Sequence, residues 1–144
     1  MSSLLTRWMP RRRFQVRGDG VYDRWTDLTW QRAAVGSGWH GAQHPHTVFK
    51  RTMTFDEALS RAWEGAWRLP TIEELKSLLV DRRSDGYHID TAAFPDAVRD
   101  TPQWYWSSTP DGPLLAWAVN FHHGHACSGG RKVPNAVRLV RSER

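Results

Sequence analysis

Apolar and polar positions alternate in short runs toward both ends of this 144-residue chain and take helical spacing in between. Phe14-Gln15-Val16-Arg17 alternates as a half-buried strand should. Gly18-Asp19-Gly20 supplies a turn, and Val21-Tyr22-Asp23 leads away as the second arm of a hairpin. Asp23 to Arg32 reads as another turn and a short strand, with Asp27 at a position where aspartate tolerates left-handed backbone. From Ala33 to Arg51, Gly36, Gly38, Gly41 and Pro45 mark an irregular surface loop carrying Trp39, His40, His44 and His46.

Thr54, with Glu57 three residues on, is a capping box. Phe55, Ala58, Leu59, Ala62, Trp63 and Ala66 then form one apolar helical stripe, and Gly65 suits its end. A second helix opens at Thr71 with Glu74 completing its box, and Ile72, Leu75, Leu78 and Leu79 form its buried face. Pro70 keeps the two helices apart. Arg82 to Tyr87 is a loop, and strands are expected over Trp104–Ser108, Leu114–His122 and Ala136–Arg141. Hairpin, two helices, then strands make an α+β chain without internal repeats.

A chain of this length is expected to be one domain, residues 14–144, preceded by a basic arm over 1–13. It can bury about 70% of its unfolded surface without help from a metal or disulfide. Nine tryptophans are the compositional outlier, suited both to a dense core and to a binding face. The net charge is +5, and arginine supplies every cation except Lys50, Lys76 and Lys132. Such an excess suits an acidic partner without demanding one. Arg11, Arg12 and Arg13 read as a solvated arm; no nucleic-acid reading motif accompanies them, so nucleic acid is not the expected partner. Cys127 stands alone, which excludes an internal disulfide. No run approaches a membrane span, and Met1 to Arg13 lacks the apolar stretch of a signal peptide. The expected location is the cytoplasm, or outside by a route that needs no signal peptide.

Four segments in order carry a family resemblance: Trp67-Arg68-Leu69-Pro70-Thr71, Trp104-Tyr105-Trp106-Ser107-Ser108-Thr109, Trp117-Ala118-Val119-Asn120-Phe121 and Val137-Arg138-Leu139-Val140-Arg141. The opening hairpin and the Ile89-Asp90…Ala93-Phe94-Pro95 stretch belong to the same series. The chain resembles the C-terminal domain family of Lcl-type collagen-like bacterial adhesins, from which it departs by carrying Asp27 where a glycine is usual. The resemblance implies a C-type-lectin-like fold: two helices packed on a mainly antiparallel sheet whose first and last strands pair. It implies a binding module toward sulfated or otherwise acidic polysaccharide, or a protein surface, and it carries over no ligand residues.

Nothing local supports catalysis. Glu57 and Glu74 are used as caps, no nucleophile elbow surrounds Ser107, Ser108 or Ser128, and Gly18-x-Gly20 lacks a phosphate loop's third glycine. True C-type lectins mark calcium with a Glu-Pro-Asn or Gln-Pro-Asp triplet and a Trp-Asn-Asp triplet. Val133-Pro134-Asn135 and Trp117-Ala118-Val119-Asn120 lack the carboxylates, so calcium-independent binding without a cofactor is expected. His122, His123, His125 and Cys127 offer an alternative, a zinc or copper site or metal-assisted enzyme, reinforced if His40, His44 or His46 fold over them. The spacing matches no standard site, and a polar hairpin tip is the preferred explanation. The expected ligand-binding residues are Trp39, His40, His122, His123, His125, Arg131, Lys132 and Asn135, in loops gathered at one end of the sheet. Trp104, Trp106 and Trp117 are expected in the core, with Arg138 and Arg141 as solvated or paired edge residues. A further alternative is a phage or assembly component displaying this binding face, with no oligomeric state implied.

Overall fold

The computed structural model describes residues 12–36, 51–98 and 104–143. Strands β1 (Phe14–Arg17), β2 (Gly20–Asp23) and β3 (Leu28–Gln31) form an antiparallel meander, and β7 (Val140–Ser142) completes this sheet in the order β1-β2-β3-β7. A second antiparallel sheet, β4-β5-β6, contains β4 (Trp104–Asp111), β5 (Leu115–Asn120) and β6 (His125–Gly130). Helices α1 (Phe55–Ser60) and α2 (Ile72–Lys76) lie between them in sequence, and a 3-10 turn spans Pro95–Val98. The described residues thus form a small α+β protein with two antiparallel sheets and two short helices. Among the described residues no helix is long and apolar enough to cross a membrane.

Local signals place the elements well. Asp27 holds φ 58, and both capping boxes form, Thr54 with Glu57 and Thr71 with Glu74. The first helix is shorter than its apolar stripe implies. Arg61 is already extended at ψ 134, Leu59 is exposed, and Gly65 takes its positive φ in a later turn. The Trp63 indole folds back to donate to the Ala58 carbonyl (3.3 Å), satisfying an end that another helical turn would have bonded.

The last strand pairs with β3, not with the first strand. In the meander β2 separates β1 from β3, so β1 becomes an edge and Trp30 meets Val140. Nor is Ala136–Arg141 one strand. Ala136 bridges Tyr105 in parallel, the chain crosses over, and Val140 reaches β3 and Arg68. This crossover joins the sheets and has protein on both sides. Arg138 is consequently 1% exposed and paired to Asp96 at 2.7 Å, rather than at a wet edge.

One core, between the four-stranded sheet, α2 and one face of β4-β5, includes Trp30, Leu75, Leu78, Ile89, Phe94, Tyr105 and Val119. A second, between α1, the crossover and the opposite face, includes Met53, Phe55, Trp106, Ala118 and Val137. Ile89 and Phe94 pin the intervening loop, and Asp90 accepts the N–H groups of Ala92 and Ala93. Of the three tryptophans expected in the core, Trp106 is sealed while Trp104 and Trp117 are half-buried: Trp104 lies on the face of Trp106 but past the cover of α1, and Trp117 points to the opposite face of its sheet.

Arg13 is part of this frame rather than a solvated arm. It grips buried Asp23 at 2.9 and 2.8 Å and stacks on Phe14 and Trp25. Burial alone would raise the Asp23 pKa; bonds from Arg13, the Trp25 N–H and the Thr26 hydroxyl outweigh it and hold the carboxyl below its ordinary 3.8. A group depressed in the folded state contributes stability above its unfolded pKa, and that stability is lost as pH falls through the folded pKa. Stability is therefore expected to decline progressively below about pH 4. Asp23→Asn should flatten this acid limb in denaturant titrations; an unaltered limb would eliminate Asp23 as its source.

Candidate functional site

Asn120 ends β5 buried and with its side chain turned toward the backbone of the following turn. Its Oδ1 accepts the N–H groups of His122 (2.8 Å) and His123 (2.9 Å), and its carbonyl accepts from Gly124 (2.8 Å). Gly124 adopts φ +85, and a Cβ there would sit 2.6 Å from the His88 ring, so only glycine fits. The turn is thus fixed from two sides. It presents exposed imidazoles in a row: His122 edge-on to Tyr87 (5.2 Å), and His123 nearly parallel to His125 (6.0 Å, 14°). Trp104 stands edge-on to His123 (6.1 Å) and to His125 (5.5 Å).

Register explains why these rings meet. Trp104 faces Asn120 across β4-β5, Asn120 faces His125 across β5-β6, and Ala118 faces Cys127. Side chains two apart share a face, so Trp104, Ala118, His125 and Cys127 lie on one side of the sheet. Beside them is a groove of about 250 Å³ lined by Trp104, Ala118, Cys127, Gly129, Val133 and Asn135. Both backbone groups of Asn135 bond Met53 at 2.9 Å. The residue is 9% exposed, and no hydrogen bond to its amide is found among the described residues.

His123, His125 and Asn135 therefore gather beside Trp104, whereas His122 packs against Tyr87. Arg131 and Lys132 do not join them. They follow β6 at the end opposite His125, about 17–20 Å away for a strand of this length, so the expected loops are not gathered at one end. Arg131 donates to the carbonyls of Gly112 (2.6 Å) and Leu115 (3.2 Å) and covers Phe55, which makes it a clasp between elements. Lys132 is exposed. Trp39, His40, His44 and His46 lie outside the described residues. Among the described residues no three His, Cys, Asp or Glu side chains come together as a metal site, and the parallel His123 and His125 rings suit stacking better than sharing an ion. Cys127 is exposed, with its Sγ 3.5 Å from the Ser128 carbonyl oxygen.

Sequence reasoning missed Asn120 and Trp104 as site residues. An Asn closing a strand just before a His-His-Gly turn is a readable signal for a side-chain-capped turn. The exposure of Trp104 has no such local mark. A larger cleft, about 720 Å³, lies between residues 33–36 and 61–67 and includes none of the expected site residues among those described. Its tryptophans are already occupied by arginine: Arg61 covers Trp63 at 5.0 Å and Arg141 covers Trp67 at 4.6 Å.

The family model of the Lcl C-terminal domain matches residues 19–141. No curated protein matches the chain.

Proposed function

The chain belongs to the Lcl C-terminal domain family, and on that premise we propose a calcium-independent, non-catalytic binding module of C-type-lectin-like fold that recognises a polysaccharide or a protein surface. The observation that carries this reading is the half-buried Trp104, framed by His123 and His125 over a groove with an open amide. Aromatic and imidazole rings stack on sugar faces, and a rigid turn presents them at little entropic cost. The order of meander, two short helices, three-stranded sheet and returning strand supports the lectin-like description.

The net charge of +5 favours an acidic polysaccharide. Retention on a heparin-like matrix is expected to weaken as salt rises, because exposed charges are screened over about 8–10 Å. Trp104→Ala should loosen retention roughly tenfold, the scale of losing one aromatic anchor. Salt-independent retention, or equal retention of both proteins, would speak against this face.

A further inference from the structure

We propose that the groove beside Trp104 receives the acetamido group of an N-acetylated amino sugar, an inference that rests on the binding reading above. Four features point the same way. First, Asn135 is nine-tenths buried and its amide, which both donates and accepts, meets no partner among the described residues. That amide opens onto the groove rather than being sealed beneath it, so an occupant can pair with it where water otherwise would. An acetamido group offers one N–H and one carbonyl, and therefore suits either end of that amide. Second, Ala118, Gly129 and Val133 give the groove an apolar lining, where a methyl group gains and a hydroxyl does not.

Third, among the described residues no lysine or arginine lines the groove. A sulfate or carboxylate could accept from the Asn135 NH₂ but would leave the amide oxygen unmet, with no cation to offset the anion's desolvation. The groove thus takes a neutral substituent of a sugar stacked on Trp104, while the charged groups of an acidic chain are met elsewhere on the surface. Fourth, its 250 Å³ is smaller than the roughly 300–1,000 Å³ of clefts that enclose drug-sized ligands. One substituent enters while the sugar ring remains outside, where Trp104, His123 and His125 provide a stacking edge.

The test compares chitotriose with cellotriose, neutral β-1,4 trimers that differ in bearing an acetamido or a hydroxyl group. Titrations followed by ¹H–¹⁵N NMR should show chitotriose shifting the Asn135 side-chain NH₂ and the Trp104 indole N–H, with affinity at least tenfold above cellotriose. Asn135→Leu should erase that preference. Val133→Trp, made at an exposed position (55%), should block the groove and abolish binding without disturbing the core. Equal affinity for the two trimers, or shifts remote from Trp104, overturns the acetamido assignment. If heparin retention and its dependence on Trp104 persist in that case, the broader reading stands; if they fail too, both fall together.

Discussion

Arg138→Ala is expected to lower stability by about 3–5 kcal/mol, the scale of stranding a buried charge. Arg138 is 1% exposed, with Nη2 donating to Asp96 Oδ1 at 2.7 Å and Nη1 to the carbonyls of Arg32 (2.6 Å) and Gln31 (3.1 Å). Its guanidinium lies 5.0 Å from the Phe94 ring centroid and 5.5 Å from that of Tyr105. Burial disfavours its charge, yet the attraction of Asp96 outweighs this and leaves its pKa above the ordinary arginine value. Asp96, fully buried, also accepts the Ala34 N–H at 2.8 Å. Removing the arginine takes from this buried carboxylate the guanidinium that meets it at 2.7 Å. Thermal unfolding should move down by roughly 10 °C, at about 2–4 °C per kcal/mol for a domain of this size. Arg138→Met combined with Asp96→Asn removes both charges, so it should recover much of the loss. A single variant as stable as the double one would show that the pair is not what holds the crossover.

Arg138 also shows where a sequence stops being legible. In Val137-Arg138-Leu139-Val140 the alternation reads as one buried and one wet face. That inference needs a sheet with water on one side. Here the segment crosses between two sheets, and both of its sides are covered. The capping boxes, the Gly18-Asp19 turn and the left-handed Asp27 were legible because each is decided within four or five residues. Strand β6 was not. His125-Ala126-Cys127-Ser128-Gly129-Gly130 has little intrinsic preference for strand, and it is extended because β5 offers a ladder from Leu115 to Asn120.

The candidate face divides along the same line. The polar turn His122-His123-Gly124 and the polar character of Asn135 could be anticipated from residue types. Their convergence on Trp104 depends on the pairing Trp104–Asn120–His125 across three strands, which no local pattern encodes. Arg131 misled for a related reason. A guanidinium in a loop suggests an anion clamp, but the loop curls so that its donors meet the carbonyls of Gly112 and Leu115. Charge identifies what a side chain offers; the neighbouring backbone decides whether the offer is already taken.

Trp106→Ala and Trp104→Ala should have opposite consequences although the residues are two apart on one face of β4. Trp106 is fully buried, edge-on to Phe55 at 5.5 Å, and its indole N–H donates to the Met53 carbonyl at 2.8 Å. Truncation opens a cavity beneath α1 and should cost about 3–5 kcal/mol. It also removes the bond that steadies Met53, whose backbone holds Asn135 in the groove, so any surviving folded protein should bind more weakly. Trp104 lies past the cover of α1, where its ring meets His123 and His125. Its removal takes away less buried surface and should cost under about 2 kcal/mol, the range of ordinary substitutions, while binding drops roughly tenfold. Denaturant midpoints and retention measured on both variants separate the roles. If Trp104→Ala unfolds the protein as severely as Trp106→Ala, Trp104 is a core residue, the rings beside it merely line an exposed seam, and recognition must reside elsewhere on the molecule.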